Sequence, residues 1–313
     1  MRKLILAPGI AAIVAALACH EPGPAEPPPP MWYWHTGPTG SDLTDVASAG
    51  RDDVWLVGVN AAGDGEAYHY NGFSWSWPPL PPVDVGPLYA VATFSTSGDA
   101  WAAGGGDYFF YWDGNVWQDW PHPAPGRTVY GMAFATDALG WAVGEGGLIL
   151  KFDGTGWEKV EPSPTTRTLR RVRALSETAA WAVGDGGTVL RYDGSSWRAV
   201  EFPATADLAD LCFPAEDDGW VVGKTAAIYR WDGAGFTRYD SPDAEINYLC
   251  CGFATPAKGW AGGDRMHVAR YDAGAWRLEE NLPSGHWELS AIHFVDSDEG
   301  WAVGPDGAML HYH

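Results

Sequence analysis

The chain has 313 residues, among them 19 Trp, 40 Gly and 24 Pro, with 14% aromatics and a formal charge of −21. Apolar surface is plentiful, but Gly and Pro punctuate it too often for long helices, so the profile calls for many short strands joined by turns. A carboxylate excess on this scale excludes nucleic acid and anionic membrane surfaces as electrostatic partners, because both repel an acidic protein at range.

Residues 1–19, MRKLILAPGIAAIVAALAC, begin with Arg2 and Lys3, continue in an apolar run of export-signal length, and end in small residues before Cys19. Pro8 and Gly9 break the run, which is too short to favour a spanning helix. The segment ALAC resembles the lipobox of bacterial lipoproteins, in which signal peptidase II cuts before a diacylglyceryl-modified cysteine, although Leu17 stands at −2 where Leu is usual at −3. Ala16 and Ala18 also fit the small-x-small rule for ordinary cleavage at the same bond, which would leave a secreted protein with an unmodified first cysteine. The resemblance implies a signal peptide at 1–18, a lipid on Cys19 that holds the protein to a membrane of the bacterial cell envelope, and, with His20 rather than Asp after the cysteine, the outer membrane. The stretch HEPGPAEPPPP then reads as an extended tether of about 3 Å per residue, giving a lipidated and Pro-rich segment at 19–30. Loss of Arg2 and Lys3 on cleavage takes the side-chain charge from −21 to −23.

From residue 31 to 313 the chain repeats. A WAVG-like phrase starts at Trp55, Trp101, Trp141, Trp181, Trp220, Trp260 and Trp301, at gaps of 46, 40, 40, 39, 40 and 41. A period near forty with four strand-like pieces per copy is the signature of a propeller blade. The copy from 169 shows the pieces as LRRVRALS, WAVG, TVLRY and SSWRAVEF. Each is short and rich in β-branched or aromatic residues. Asp113, Asp153, Asp193, Asp232 and Asp272 each fall twelve residues after their Trp, and Asn71 takes the place in the first copy. An Asp-Gly pair between strands predicts a two-residue type I′ hairpin. The preceding position is aromatic in every copy (Tyr70, Trp112, Phe152, Tyr192, Trp231, Tyr271, Tyr312), which predicts packing between blades. One position earlier, His69, Lys151, Arg191, Arg230, Arg270 and His311 form a row expected to make repeated salt bridges or a solvated edge.

Twelve residues after Trp301 is His313, so the last copy lacks its outer strand. Trp32 precedes Trp55 by 23 residues, the spacing by which outer-strand Trp residues precede the next phrase elsewhere, so MWYWHTGP supplies the missing strand. The prediction is an all-β, seven-bladed β-propeller, a monomer closed by its N-terminal strand, with no open sheet edge.

At these WAVG and DGxxW phrases the chain resembles bacterial seven-bladed propellers of the photosystem II assembly-factor type and, more loosely, sialidase-like Asp-box propellers, although Asp193 and Trp197 are four apart where the Asp-box has five. The assembly-factor resemblance implies protein binding. The Asp-box resemblance implies an alternative, a lectin or a degenerate glycosidase. A glycosidase of that kind needs an arginine cluster with a Tyr, Glu and Asp near the axis, and no such set stands at matching places. The expectation is a non-catalytic protein-binding or assembly module whose partner docks on the inter-blade loops.

Arg167, Arg170, Arg171 and Arg173 are the one basic cluster, entering the innermost strand of the fourth blade, where Arg171 aligns with Asp210 and Asp45 of other blades. An inter-blade ion pair and an anion or partner site at the channel are both consistent with this. Arg167, Arg171, Arg173 and Trp287 are the candidate partner contacts. Trp34, Trp77 and Trp120 also stand outside the repeat and could pack or stack on sugar. Cys212, Cys250 and Cys251 lie in innermost strands of adjacent blades, so either Cys212 bonds one of the other two or all three are buried thiols. His311 and His313 lack a third ligand, and the loop at 60–67 lacks a calcium-binding pattern, so no metal or cofactor is expected.

Overall fold

Each copy of the repeat folds as one four-stranded antiparallel sheet, and the seven sheets stand around a central channel. This is a computed structural model, and it describes residues 31–37, 40–94, 98–264, 267–280, 282 and 288–313. The export signal, Cys19, the tether and Trp287 lie outside the described residues. The innermost strands are Asp42–Gly50, Leu88–Thr93, Val129–Thr136, Leu169–Ser176, Leu208–Ala215, Tyr248–Thr255 and Ala291–Asp296, for blades 1 to 7 in order.

The ring closes as the strand count requires. Trp32–Trp34 joins the last three strands as the outer strand of blade 7, with Trp32 opposite Tyr312, Tyr33 opposite His311 and Trp34 opposite Leu310. Met31 and His313 exchange backbone hydrogen bonds at one end of this seam, and the His35 N–H donates to the Met309 carbonyl at the other. The first and last described strands are therefore held by one ladder, which gives blade 7 the same four strands as the other blades.

Tryptophans hold neighbouring blades together. The Trp that opens each WAVG-type phrase is buried on the second strand and meets the outer-strand ring of the next blade nearly edge-on, in the pairs Trp55–Trp117, Trp101–Trp157, Trp141–Trp197, Trp181–Phe236, Trp220–Trp276, Trp260–Trp32 and Trp301–Trp75. Centroids are 5.0–6.2 Å apart and planes cross at 78–90° in all seven, the edge-to-face geometry that the ring quadrupole favours. The aromatic before each hairpin turn completes the socket at 4.6–5.6 Å from the same Trp.

The row of cations beside these aromatics serves the same socket. Lys151, Arg191 and Arg230 lie over the faces of Trp141, Trp181 and Trp220, and His69 and His311 stack on Trp55 and Trp301. Cross-strand pairing sets each cation opposite its Trp, so the side chain lies back along the ring. In blade 6 Lys258 takes this place over Trp260, and Arg270 turns to Glu279. Of the expected salt bridges, Arg230–Asp218 and Arg270–Glu279 are present as an addition, His69 and His311 meet Asp53 and Glu299, and Arg191 is exposed.

The hairpin turns depart from expectation. Between Tyr192 and Trp197 the loop has four residues, and only Gly194 has positive φ. The Asp193 carboxylate accepts the backbone N–H groups of Ser195 and Ser196, and Asn71, Asp113, Asp153 and Asp232 do the same in their blades. Asp is therefore selected as an acceptor that caps the loop. Only blade 6 has the two-residue form, with Ala273 and Gly274 both at positive φ between Asp272 and Ala275.

Closure of the ring makes one prediction. Trp32 is 4% exposed and touches Trp260, Phe294 and Tyr312, whereas Trp34 on the same strand is 42% exposed. Trp32→Ala should cost about 3–5 kcal/mol and Trp34→Ala under about 1 kcal/mol, measured by denaturant unfolding of the two variants side by side.

Candidate functional site: the central channel and its mouth

In blades 1 to 6 the pairing of innermost and second strands slips by one residue, at Thr44, Tyr89, Tyr130, Arg170, Ala209 and Leu249. A bulge bends the strand and re-aims a side chain, and here the re-aimed residues, with Ser290 of blade 7, line a cavity of about 370 Å³ at the channel mouth. The innermost strands begin at this end, so the inter-blade connections and the mouth share one face.

The mouth is two-sided. Tyr89 and Tyr130 pack at 5.6 Å, and the Arg170 guanidinium lies 4.9 Å from the Tyr130 ring, which builds a continuous stair of flat groups across blades 2 to 4. Asp185 fixes Arg170 through two hydrogen bonds of 2.9 and 3.1 Å. The opposite wall, from Ala209, Leu249 and Ser290, is small or apolar. Around the rim, Lys224 pairs with Asp207, and Arg127 donates to the carbonyls of Glu145 and Gly146. Arg167 is exposed beside Gly186 and makes no side-chain hydrogen bond or ion pair among the described residues.

One step deeper the channel is plugged. Arg171 is 6% exposed and reaches Asp45 at 2.9 Å and Asp210 at 3.3 Å. Asp45 also accepts the Val91 N–H of the next blade, and Asp210 accepts those of Leu211 and Cys251. The carboxylates thus staple blades 1 to 2 and 5 to 6, and Arg171 ties both staples to blade 4. Burial pushes the Asp45 pKa up against the pull of Arg171, and for Arg171 burial acts downward but is outweighed by the two carboxylates together, which leave its pKa above the ordinary value. Gly131 makes room at this level: a Cβ there would lie 2.9 Å from the Arg171 Cα.

Beyond the plug lies a second chamber of about 210 Å³, which receives Arg173 and His293. The candidate arginines are therefore separated. Arg167 is on the mouth face, Arg171 is the buried plug engaged by two carboxylates, and Arg173 opens to the far chamber. Sequence reasoning missed Tyr89, Tyr130 and Lys224; the register position of Arg170, compared across blades, would have found the tyrosines. Of the other Trp candidates, Trp77 is 70% exposed and lines a shallow cleft with Glu66 and Tyr68, and Trp120 packs on Trp101. Cys212 and Cys251 form a disulfide between blades 5 and 6 at a Cα separation of 6.2 Å, and Cys250 is a buried thiol. A bridge of this kind contributes about 2–4 kcal/mol where it is oxidised.

No protein-family model and no curated protein sequence matches this chain. Among solved structures it is similar to the propeller "YCF48 bound to D1 peptide", at a TM-score of 0.73 and 18% identity over 90% of this chain and 96% of that one. It is also similar to streptogramin B lyase, at 0.77 and 15% over 91% and 97%, and to the WD40 propeller domain of Doa1, at 0.71 and 10% over 90% and 97%. At these identities the likeness establishes the fold and nothing finer.

Two outcomes follow for stability. Arg171→Met strands two buried carboxylates and should cost about 3–5 kcal/mol, whereas Arg167→Met at the exposed rim should change stability by less than about 0.5 kcal/mol; chemical denaturation separates them. His293 is pushed down to about 4 by burial and by Arg173. The unfolded chain then binds this proton more tightly than the folded one, so stability is complete above pH ~6.5 and falls as pH drops toward ~4, by on the order of 2–3 kcal/mol. His293→Gln should flatten that part of the pH–stability curve.

Proposed function

We propose that this chain is an exported, lipid-anchored β-propeller of the bacterial cell envelope that acts, without catalysis, as a binding or assembly module for a protein partner. Cys19 and the Pro-rich segment after it anchor the wheel at a distance from the membrane, and the outer membrane fits the residue that follows the cysteine. The partner docks on the mouth face, across the Tyr89–Tyr130–Arg170 stair and the rim cations Arg127, Arg167 and Lys224.

The observation that carries this reading is the contrast between repeated and unrepeated positions. Socket residues recur blade by blade, whereas the seven residues at the mouth are Thr44, Tyr89, Tyr130, Arg170, Ala209, Leu249 and Ser290, a set with no structural repeat. Aromatic and arginine side chains in a concave, half-buried setting are those that dominate binding energy at protein interfaces. The charged groups of the mouth are tied to one another in ion pairs, as suits a docking surface more than a reacting centre. One propeller of this shape has been solved with a peptide bound, which supports the reading by analogy. The sugar-binding alternative draws on exposed Trp77, and reproducible hits on a glycan array would favour it.

Full-length protein in detergent, used to capture partners from cross-linked envelopes, tests the assignment. Tyr130→Ser and Arg167→Glu should each reduce recovery of the captured partner by roughly tenfold while leaving the melting temperature within a few degrees. Glu177→Lys, in an exposed turn on the opposite face, should leave recovery unchanged. The reverse pattern would move the docking surface to that face.

A further inference from the structure

The far chamber has the composition of a ligand site. Its channel-facing ring, two residues beyond the plug, consists of Ala47, Ala92, Ala133, Arg173, Cys212, Gly252 and His293. Five of the seven are small or held in the disulfide, so the space they leave is occupied from two sides, by Arg173 of blade 4 and His293 of blade 7, which stand nearly across the ring.

The protein satisfies neither group fully. Arg173 has two contacts, one to Asp210 and one to the Val172 carbonyl, both at 3.4 Å, the limit for a hydrogen bond. Asp210 is already engaged by Arg171 and by two backbone N–H groups. The His293 ring has no hydrogen-bond partner among the described residues, and its electrostatic neighbour is a cation, Arg173. Ser48, on the adjacent blade 1, also faces this chamber, and its buried hydroxyl is unpartnered. A guanidinium, an imidazole and a hydroxyl thus present donors to one chamber, whose two lining carboxylates, Asp45 and Asp210, are already engaged by Arg171 and by backbone N–H groups.

We propose that the far chamber of the channel is a binding site for a small oxyanion, a carboxylate or a phosphate, held between Arg173 and His293 with a hydrogen bond from Ser48. The guanidinium fork supplies a paired contact to two oxygens. The charge balance adds proton coupling: Arg171 and Arg173 offset Asp45 and Asp210, so a bound monoanion is neutralised when His293 takes up a proton. The titratable and charged groups on the surrounding strands are Asp45 from blade 1, the Cys250 thiol from blade 6, Glu299 from the histidine's own hairpin, and Arg171, Arg173 and Asp210 across the channel. Of these, Arg173 is the one that joins burial in keeping His293 neutral before the anion arrives. The site is separate from the mouth face, on the other side of the Arg171 plug.

The test uses full-length protein with sulfate, which does not titrate near neutrality and stands in for phosphate, and with acetate for a carboxylate, each against chloride at matched ionic strength. Calorimetry should detect one site for at least one of the two oxyanions, and the relative affinities of sulfate and acetate distinguish a phosphate site from a carboxylate site. Affinity should be about tenfold higher near pH 5.5 than near pH 7.5, because binding raises the histidine's affinity for its proton. Arg173→Gln should abolish binding, and His293→Gln should retain weaker binding with no pH dependence. In case Arg173→Gln alters the fold, the NMR titration of the His293 ring in the unmodified protein decides independently: its pKa should rise with added oxyanion. Absence of heat for both anions, or a His293 titration curve indifferent to them, would overturn the proposal.

Discussion

The edge-to-face contact between each second-strand Trp and the outer-strand ring of the next blade is the constraint on which the molecule depends. A propeller sheet is too small to bury its own faces, and each blade is stable only against its neighbours. A large ring at a fixed place converts that need into geometry: it fixes the separation and tilt of adjacent sheets, and seven such fixings close a circle. The contact continues without change through the closure, where Trp260 meets Trp32 and Trp301 meets Trp75. The N-terminal strand therefore supplies the ring of one socket, through Trp32, as well as the last rung of a ladder.

With the sockets holding the wheel at its radius, the innermost strands are released from uniformity. At the level of the plug the seven residues are Asp45, Ala90, Gly131, Arg171, Asp210, Cys250 and Ala291, an asymmetric set in which one arginine spans to two carboxylates. A buried triad of this kind gives little net stability, because desolvation offsets most of the attraction. Its structural effect is to divide the channel into a mouth and a far chamber of different chemistry. The mouth has flat aromatic surface and paired charge, as a protein surface requires; the far chamber has a hydroxyl without a protein partner and an arginine held only by long contacts.

The wheel was legible in the sequence because the same packing problem is solved seven times, and a Trp at a spacing of about forty residues records each solution. Counting to His313 was enough to place the closing strand. The turns were misread for a physical reason: Asp-Gly suits a type I′ hairpin, but the Asp carboxylate can instead cap two N–H groups of a four-residue loop, and spacing alone does not distinguish the two. The cation row was underestimated because cross-strand register, which lays Arg191 over Trp181, is a property of paired strands. The arginine cluster was legible as a cluster but not as three destinations, since the bulge at Arg170 sends three neighbouring side chains to the mouth, the plug and the far chamber. Tyr89 and Tyr130 left no signal in a single copy and become visible only when seven inner strands are aligned.

The central claim is that the unrepeated mouth, on the face of the inter-blade connections, is where this wheel meets another protein. Site-specific photo-crosslinking in intact cells tests it most directly, with the photoreactive residue placed in turn at Ala209 and Leu249 in the mouth and at Thr178 and Asp217 in turns of the opposite face. The account predicts a discrete cross-linked product of one partner from the mouth positions and none from the opposite turns. Products from the opposite turns alone, or equal and diffuse labelling from all four positions, would contradict it.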